Sequence, residues 1–349
     1  MELQIIKILF LTTLAFVFTI LWTPLLSNFL YKHKLGKKIR NSGDTPIFSK
    51  LHAHKSGTPT MGGVLIWGTT FIFIIVFYYL YKFFPNNFTS ALNFLSQKET
   101  LLPLGALVAS ALIGLVDDWL DVRGKGVFGG GGFKMRHRLI IYALIALIGA
   151  LWFYFKLDWT TIHLPFLGYF QIGWWYIPVF ILVIVATSFS VNETDGLDGL
   201  AGGTLLIAFG SYAIISFAMG RYDLAAFCGV IIGALLAFLW FNIPPACFYM
   251  GDTGSMSLGV TLGIIALLTN NVLLLPLIGF IFVVESLSVI IQILSRKIRK
   301  KKVFLSAPIH HHFQARGWSE SKIVMRFWLI SAVVAVIGLL IFLADKTLG

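Results

Sequence analysis

A polar stretch at residues 190–203, SVNETDGLDGLAGG, places three acids between two apolar segments of membrane-helix character. The acids are Glu193, Asp195 and Asp198. Charged side chains between membrane helices are costly unless they lie in a loop or in a wet cavity lined by protein. Gly196, between two of the acids, would let a backbone amide approach a ligand closely. A connecting turn with ordinary helix-capping acids explains the stretch equally well.

Two further acidic motifs have the residue types that phosphate chemistry needs. Asp117 and Asp118 end an apolar run, and neighbours on a helix point about 100° apart, so the two carboxylates should have different partners. Asp252 lies between two glycines in MGDTGS. Because Mg²⁺ binds through one or two carboxylates plus substrate phosphate oxygens, these acids favour a metal-assisted phosphate site. A solvated helix end is the alternative for the aspartate pair.

The string His310–His311–His312 is internal to the chain. Three consecutive imidazoles do not readily converge on one zinc ion, which needs ligands spaced so that their side chains meet. Histidines beside a basic loop suit pyrophosphate binding or proton transfer, although a solvated loop would have the same spacing. Glu285 lies within an apolar segment, where an acid is expensive; a functional role and a structural, helix-bending role are both open.

The elements that must position these residues are predicted to be membrane helices. Hydrophobic residues make up 58% of the 349 residues and charged residues only 12%. A soluble domain cannot bury that much apolar surface, which predicts an all-α polytopic membrane protein with one integral membrane domain over residues 1–349. A β-barrel would show alternating segments of roughly ten residues, which the sequence lacks. The apolar N-terminus has no small-residue cleavage site and is interpreted as a retained first span.

At about 20 residues per span, the sequence predicts ten transmembrane helices. They lie at roughly 4–27, 61–81, 100–117, 139–156, 175–191, 200–219, 224–241, 256–270, 272–295 and 323–343. The loops after the first, third and ninth spans contain 21 of the 27 Lys and Arg residues. Basic loops face the cytoplasm, so both termini are predicted to be extracytoplasmic.

Each odd-numbered span is followed by a polar motif, at residues 52–63, 115–126, 191–200, 241–255 and 306–318, so the active site is predicted to be formed by cytoplasmic loops. The net charge of +12 is then explained by topology and by attraction for membrane lipid and anionic substrate. No nucleic-acid partner is therefore expected.

Together these strings resemble the phospho-N-acetylmuramoyl-pentapeptide transferase family, within the polyprenyl-phosphate N-acetylhexosamine-1-phosphate transferase superfamily. The resemblance covers nearly the whole chain. The string APIHHHF, with the RGW that follows it at residues 316–318, points to the muramoyl-pentapeptide branch. The matching strings are GTPTMGG (57–63), VDDWLDV (116–122), NETDGLDGLAGG (192–203), FNIPPA (241–246), MGDTGS (250–255) and APIHHHF (307–313).

The resemblance implies a reaction at the bacterial inner (cytoplasmic) membrane. Phospho-MurNAc-pentapeptide passes from UDP-MurNAc-pentapeptide to undecaprenyl phosphate, with Mg²⁺ as cofactor and with lipid I and UMP as products. It implies catalytic roles for Asp117, Asp118, Asp252 and His310, with Asp252 as the metal ligand, and a ninth span that bends to form a lipid groove. The implied substrate-binding residues are Lys55, Asn192, Asp195, Gly196, Leu197, Asp198, Asn242, Tyr249, His311 and His312.

Three residues depart from the family's usual pattern. Glu193 stands where an apolar residue is usual, and Tyr249 stands where Phe is usual. Arg138 stands where Lys is more frequent, and because guanidinium and ammonium groups are not equivalent at phosphates, its role is left open.

Two rival functions remain at this level. A sister transferase that uses UDP-GlcNAc would share the paired aspartates, and the histidine string argues against it. A transporter or flippase would also use membrane acids and a bent helix, but its site would lie near the midplane between repeats, and no convincing repeat is present. Assembly as a homodimer is left open.

Overall fold

A computed structural model of the chain describes residues 1–36, 57–97, 99–124 and 132–348. The helices and strands follow in chain order. They are α1 (Glu2–Lys32), α2 (Val64–Phe83), α3 (Asn87–Leu92), α4 (Leu101–Arg123), α5 (Met135–Lys156), β1 (Thr161–Leu164), β2 (Gly168–Gln171), α6 (Tyr176–Thr194), α7 (Leu200–Ala218), α8 (Tyr222–Asn242), α9 (Gly251–Leu268), α10 (Leu275–Ile278), α11 (Phe280–Ile298), α12 (Ile309–Ala315) and α13 (Glu320–Leu348). Lys55, predicted to bind substrate, lies outside the described residues.

Long apolar helices dominate the described part of the chain. In the described ranges, nine helices are long and apolar enough to cross a membrane. A bent pair of helices makes a tenth span if the pair is counted as one. The architecture is therefore that of a polytopic helical membrane protein, as the composition predicts. The predicted ninth span is the bent pair: its two segments, Val272–Ile278 and Phe280–Ile298, meet at 83° around Gly279.

Helix α9 is the centre of the bundle, because every one of its 18 residues is buried. It packs mainly against α4 and α6. Small residues make this close packing possible, as they do between membrane helices in general. A Cβ added at Gly259 would lie 2.7 Å from the Cα of Ser188 on α6, and one added at Gly114 on α4 would lie 2.4 Å from the carbonyl oxygen of Asp252.

A short antiparallel hairpin departs from the all-α prediction. Strands β1 and β2 pair Thr161 with Gln171 and Leu164 with Gly168, in the segment between the predicted fourth and fifth spans. The backbone N–H of Phe166, at the tip, donates to Asp345 near the end of α13 at 2.6 Å. Strands of four residues are too short for their alternation to stand out in an apolar sequence.

A second apolar cluster joins the end of the bundle to the residues that follow α6. Leu197 and Leu200 pack in it against Ile281 of α11 and Val324 of α13. Phe313 of the short helix α12 packs against the same cluster. This packing holds the turn between α6 and α7 against α11 and against α12, the histidine helix, which contains His310–His312.

Candidate active site

Asp252 occupies the first turn of the buried helix α9, and its backbone is fixed by other acids. Asp118 Oδ1 accepts the N–H of Asp252 at 3.1 Å, and its Oδ2 accepts the N–H of Thr253 at 3.0 Å. The hydroxyl of Thr60 donates to Asp118 Oδ1 at 3.1 Å. Asp195 Oδ2 accepts the N–H of Gly251 at 3.2 Å. These bonds satisfy amides that a helix start leaves without an intrahelical partner.

Arg138, from the first turn of α5, joins two carboxylates of the candidate site. Its Nε lies 2.8 Å from Asp117 Oδ2, and its Nη2 lies 2.7 Å from Asp252 Oδ2. Its Nη1 donates to Asn192 Oδ1 at 3.0 Å. The side chain of Arg138 is only 18% exposed, and that of Asp117 is fully buried. One guanidinium therefore bridges two carboxylates that come from different helices.

Asn192 completes the link between α6 and the start of α9. Its Nδ2 donates to Asp252 Oδ1 and to the hydroxyl of Ser255, the latter at 3.0 Å. Asp117 Oδ1 accepts the backbone N–H of Phe133. As their helical offset predicts, Asp117 and Asp118 have separate partners: Asp117 faces Arg138, whereas Asp118 faces backbone amides.

The donor set around Arg138 fits a hard divalent cation. Asp117 and Asp252 supply carboxylate oxygens and Asn192 supplies an amide oxygen; these oxygens contact the guanidinium of Arg138, whose place a cation would take. Among the described residues, no group of three or more His, Cys, Asp or Glu side chains is arranged to hold a metal ion by itself. This pattern suits Mg²⁺, which takes one or two carboxylates and completes its shell with water and substrate phosphate.

The turn after α6 and the loop after α8 are bonded to each other. Asn242 Oδ1 accepts the N–H of Gly199 at 2.9 Å, and its Nδ2 donates to the carbonyl of Phe248 at 2.8 Å. Asp198 Oδ2 accepts the N–H of Ala246 at 3.2 Å. The buried side chain of Leu197 packs in the second apolar cluster. Asp198, Asn242 and Leu197 thus shape the two loops, and direct contact with substrate stays a prediction for them.

Tyr249, which is also predicted to bind substrate, lies beside these loops. Its backbone N–H donates to the carbonyl of Pro59 at 2.8 Å, and its hydroxyl bonds to Thr58. Burial, reinforced by the nearby carboxylates of Asp198 and Glu320, raises the pKa of Tyr249 to about 12. The phenol is therefore neutral at physiological pH, and its ring is held at the edge of the turn.

The three histidines have separate hydrogen-bonding partners, although the rings of His310 and His311 pack against each other with their centroids 4.0 Å apart. His310 Nδ1 lies 3.0 Å from Glu285 Oε2 of α11, and both side chains are fully buried. His311 Nδ1 lies 2.8 Å from Gln314 Oε1. His312 Nδ1 accepts the backbone N–H of Leu305 at 3.1 Å. The Nδ1 atoms of the three rings therefore bond to three different residues.

Two of these rings have a defined local environment. The pKa of His312 is lowered, by partial burial first and by the charge of Arg316 second, so this ring is neutral at physiological pH. The edge of the His310 ring that includes Nε2 meets the turn after α6. A Cβ added at Gly196 would lie 2.3 Å from His310 Nε2, so the histidine helix touches the acidic turn there.

The structure brings most of the predicted site residues into one region. A bonded network around the start of α9 contains Asp117, Asp118, Asn192, Asp195 and Asp252, and His310 reaches the adjoining turn at Gly196. Sequence reasoning did not include Arg138 and Glu285 among the site residues. For Arg138 the signal was a basic residue that replaces the more frequent lysine, and for Glu285 it was an acid within an apolar span.

Comparison with known proteins gives two family-model matches. The model described as glycosyl transferase family 4 matches residues 100–270. The model described as phospho-N-acetylmuramoyl-pentapeptide-transferase signature 1 matches residues 55–66.

Similar proteins extend over nearly the whole chain. A phospho-N-acetylmuramoyl-pentapeptide-transferase of Chloroflexus aurantiacus is 40% identical over 95% of this chain and 89% of its own length. The proteins of that name from Geobacillus sp. and Shouchella clausii are each 39% identical, over 94% and 96% of this chain and 95% and 97% of their own lengths.

Proposed function

The chain belongs to the phospho-N-acetylmuramoyl-pentapeptide transferase family, and from this premise we propose its reaction and the residues that perform it. As a member of this family it is a phosphoglycosyl transferase of peptidoglycan synthesis. The donor is UDP-MurNAc-pentapeptide and the acceptor is undecaprenyl phosphate. The products are lipid I and UMP.

The observation that carries this proposal is the double contact of Arg138 with Asp117 and Asp252. Transfer of a phosphoryl group between two phosphates demands little covalent chemistry from the protein, and the main task is to position the groups and neutralise charge. A guanidinium beside two carboxylates suits this task. The cation can contact a diphosphate oxygen, while the acids hold a divalent ion or orient the acceptor.

The residues that would hold Mg²⁺ are Asp252 and Asn192, with Asp117 as the second carboxylate. Mg²⁺ bound there would neutralise part of the negative charge on the diphosphate. The fixed start of α9 holds Asp252 in place for this role, since its amide and that of Thr253 are bonded to Asp118.

The transfer proceeds by direct attack. An oxygen of the acceptor monophosphate forms a bond to the β-phosphorus of the donor, and the bond from that phosphorus to the bridging oxygen breaks, leaving UMP. One phosphoanhydride replaces another, so the exchange is nearly thermoneutral. Arg138 contacts the diphosphate, and Asp117, whose Oδ2 lies 2.8 Å from Arg138 Nε, holds the guanidinium in place for this contact.

The other site residues have supporting roles in this scheme. Asp118 is a positioning residue, because each of its carboxylate oxygens is bonded to the backbone of the α9 start. Asp195 holds the same segment at Gly251. The neutral ring of Tyr249 and the turn around Gly196 contact the nucleotide, and the histidine helix closes the other side of that turn.

The same reasoning gives the protein's place in the cell. The basic loops face the cytoplasm and both termini face outward, so the site opens to the inner leaflet of the bacterial cytoplasmic membrane. A water-soluble donor and a lipid acceptor meet there. The bent pair α10–α11 lies beside the lipid path, and assembly into a homodimer remains a prediction.

The direct test is release of UMP by the purified protein in detergent or nanodiscs. UDP-MurNAc-pentapeptide, a polyprenyl phosphate and Mg²⁺ are supplied together, and UDP-GlcNAc replaces the donor in a parallel reaction. We expect Mg²⁺-dependent UMP release with the muramoyl donor alone. Release only with UDP-GlcNAc would identify the sister transferase, and no UMP with either donor would favour a transporter.

A further inference from the structure

A buried carboxylate and a buried imidazole meet below the proposed substrate site. Glu285 lies on α11, and His310 lies 25 residues later on α12. Glu285 Oε2 and His310 Nδ1 are 3.0 Å apart, and both side chains have no exposed surface. The backbone amides of Ile309 and His310 also lie close to the carboxylate.

Burial of a carboxylate and an imidazole costs free energy, because both groups lose their contact with water. An acid within a membrane-spanning helix costs several kcal/mol unless it is paired, and such acids usually serve a site. A purely structural acid could bond to polar groups of its own helix. Glu285 instead reaches the first turn of a separate helix that contains the histidine string, and the nearby Ser286 bonds to Ser190 on α6 at 2.6 Å.

The contact determines which ring nitrogen faces the proposed site. With Glu285 ionised, the carboxylate can only accept, and Nδ1 of His310 then carries the proton of this hydrogen bond. The remaining nitrogen, Nε2, faces Gly196, since a Cβ there would come within 2.3 Å of it. A carboxylate that fixes the tautomer and orientation of an imidazole is a recurrent arrangement in enzyme sites.

We propose that Glu285 is a positioning residue for the transferase reaction: it holds His310 so that Nε2 faces the Asp195–Asp198 turn where the donor nucleotide binds. His310 contacts the donor through Nε2, and Glu285 acts only through His310. The activity readout rests on the proposed function, whereas the ring orientation does not.

A double-mutant cycle tests this dependence. We expect Glu285→Gln to lower kcat by about 10- to 100-fold with little change in donor KM, by analogy with the loss typical when the carboxylate partner of a metal-binding histidine is removed. In a His310→Gln background, the same substitution should change kcat by less than about twofold, because residues that act as one unit are non-additive. Equal factors in both backgrounds, or wild-type kcat in Glu285→Gln, would overturn the proposal.

A matched control and a second measurement keep the test decisive. Ser286→Ala removes a neighbouring buried hydroxyl of the same helix and should leave kcat within about twofold of wild type. If Glu285→Gln does not fold, ¹⁵N NMR of histidine-labelled wild-type protein still reads the ring, with the His310 signal assigned by its loss in His310→Gln. At alkaline pH the neutral ring should be protonated at Nδ1, and a proton at Nε2 would contradict the proposal even if the enzyme makes lipid I.

Wild-type protein separates the two hypotheses. If it releases no UMP from the muramoyl donor, the proposed function fails, and the NMR signal of His310 still decides whether Glu285 orients the ring. If it releases UMP and the cycle is additive, the function stands and the positioning role of Glu285 is wrong.

Discussion

Asp118 accepts the backbone N–H of Asp252 at 3.1 Å, so one member of the aspartate pair bonds to the main chain of the acid that begins α9. Its second oxygen accepts the N–H of Thr253 at 3.0 Å. Asp118 is 3% exposed, and it also accepts the hydroxyl of Thr60 at 3.1 Å. The neighbouring Asp117 contacts Arg138 instead, so the two carboxylates are expected to respond differently to substitution.

Asp118→Asn should therefore lower both the stability of the folded protein and its kcat. The amide group turns an NH₂ toward backbone donors, and hydrogen bonds to a charged acceptor contribute about 1.5–3 kcal/mol each. We expect a lower thermal unfolding midpoint in detergent together with a lower kcat. In Asp117→Asn the loss of kcat should come with a smaller shift of the midpoint, and equal shifts in the two variants would argue against separate roles.

Asp252→Ala should abolish UMP release at every practical Mg²⁺ concentration. The substitution removes the carboxylate that contacts both Arg138 and Asn192. Release of UMP is measured across a Mg²⁺ titration. Asp158→Asn, an exposed acid before the hairpin, serves as the control and should retain wild-type turnover. Near-wild-type turnover in Asp252→Ala would remove Asp252 from the site.

Arg138→Lys should keep part of the activity, because the charge remains while the simultaneous contact with two carboxylates is lost. We expect kcat to fall about tenfold, and Arg138→Gln to lose about a thousandfold, in line with arginines that stabilise phosphoryl transfer. Arg136→Lys, an exposed neighbour in the same helical turn, is the control. Steady-state kcat and donor KM are the measurements, and unchanged kcat in Arg138→Gln would contradict the assigned role.

Gly196→Ala should inactivate the enzyme through a steric effect. The new methyl group would lie 2.3 Å from His310 Nε2, so either the ring or the turn must move. We expect a large loss of kcat with a folded protein by size-exclusion chromatography. Gly210→Ala tests the same change where nothing lies within 4 Å, and it should behave like wild type. Full activity in Gly196→Ala would show that contact between the turn and the ring is not needed.

Tyr249→Phe should raise the donor KM by a few-fold at most, because the ring remains and only the bond from its hydroxyl to Thr58 is lost. Burial raises the pKa of Tyr249 to about 12, so the phenol stays neutral throughout the working range. The alkaline side of the pH–rate profile should therefore be the same in both proteins below about pH 10. A shift of that limb in Tyr249→Phe would mean that the phenol ionises during turnover.

The helical architecture and the convergence of the motifs could be predicted from composition, charge placement and spacing. The polar motifs after the third, fifth and seventh predicted spans do meet, through Asp117, Asn192 and Asp252, which are linked directly or through Arg138. Their meeting follows from parity, since loops after odd-numbered spans share one face of a helical bundle. The offset between Asp117 and Asp118 was predictable from helix geometry alone.

The contacts that define the site could not be predicted in the same way. Arg138 joins acids that are 21 and 114 residues away in the chain, and no local pattern encodes such a pairing. The partner of Glu285 depends on how the span breaks at Gly279 and on where the short helix α12 folds back. Both are tertiary outcomes, as is the small hairpin whose strands are too short for periodicity to reveal.

The complete burial of α9 also bears on how the enzyme senses its bilayer. A helix without lipid-facing side chains does not adjust its own tilt to the thickness of the surrounding hydrocarbon, whereas the outer helices do. Changes in acyl-chain length therefore reach Asp252 only after passing through a shell of protein. The peripheral α11, with its outward-facing Ile and Leu side chains, is one of the helices that meet those changes directly.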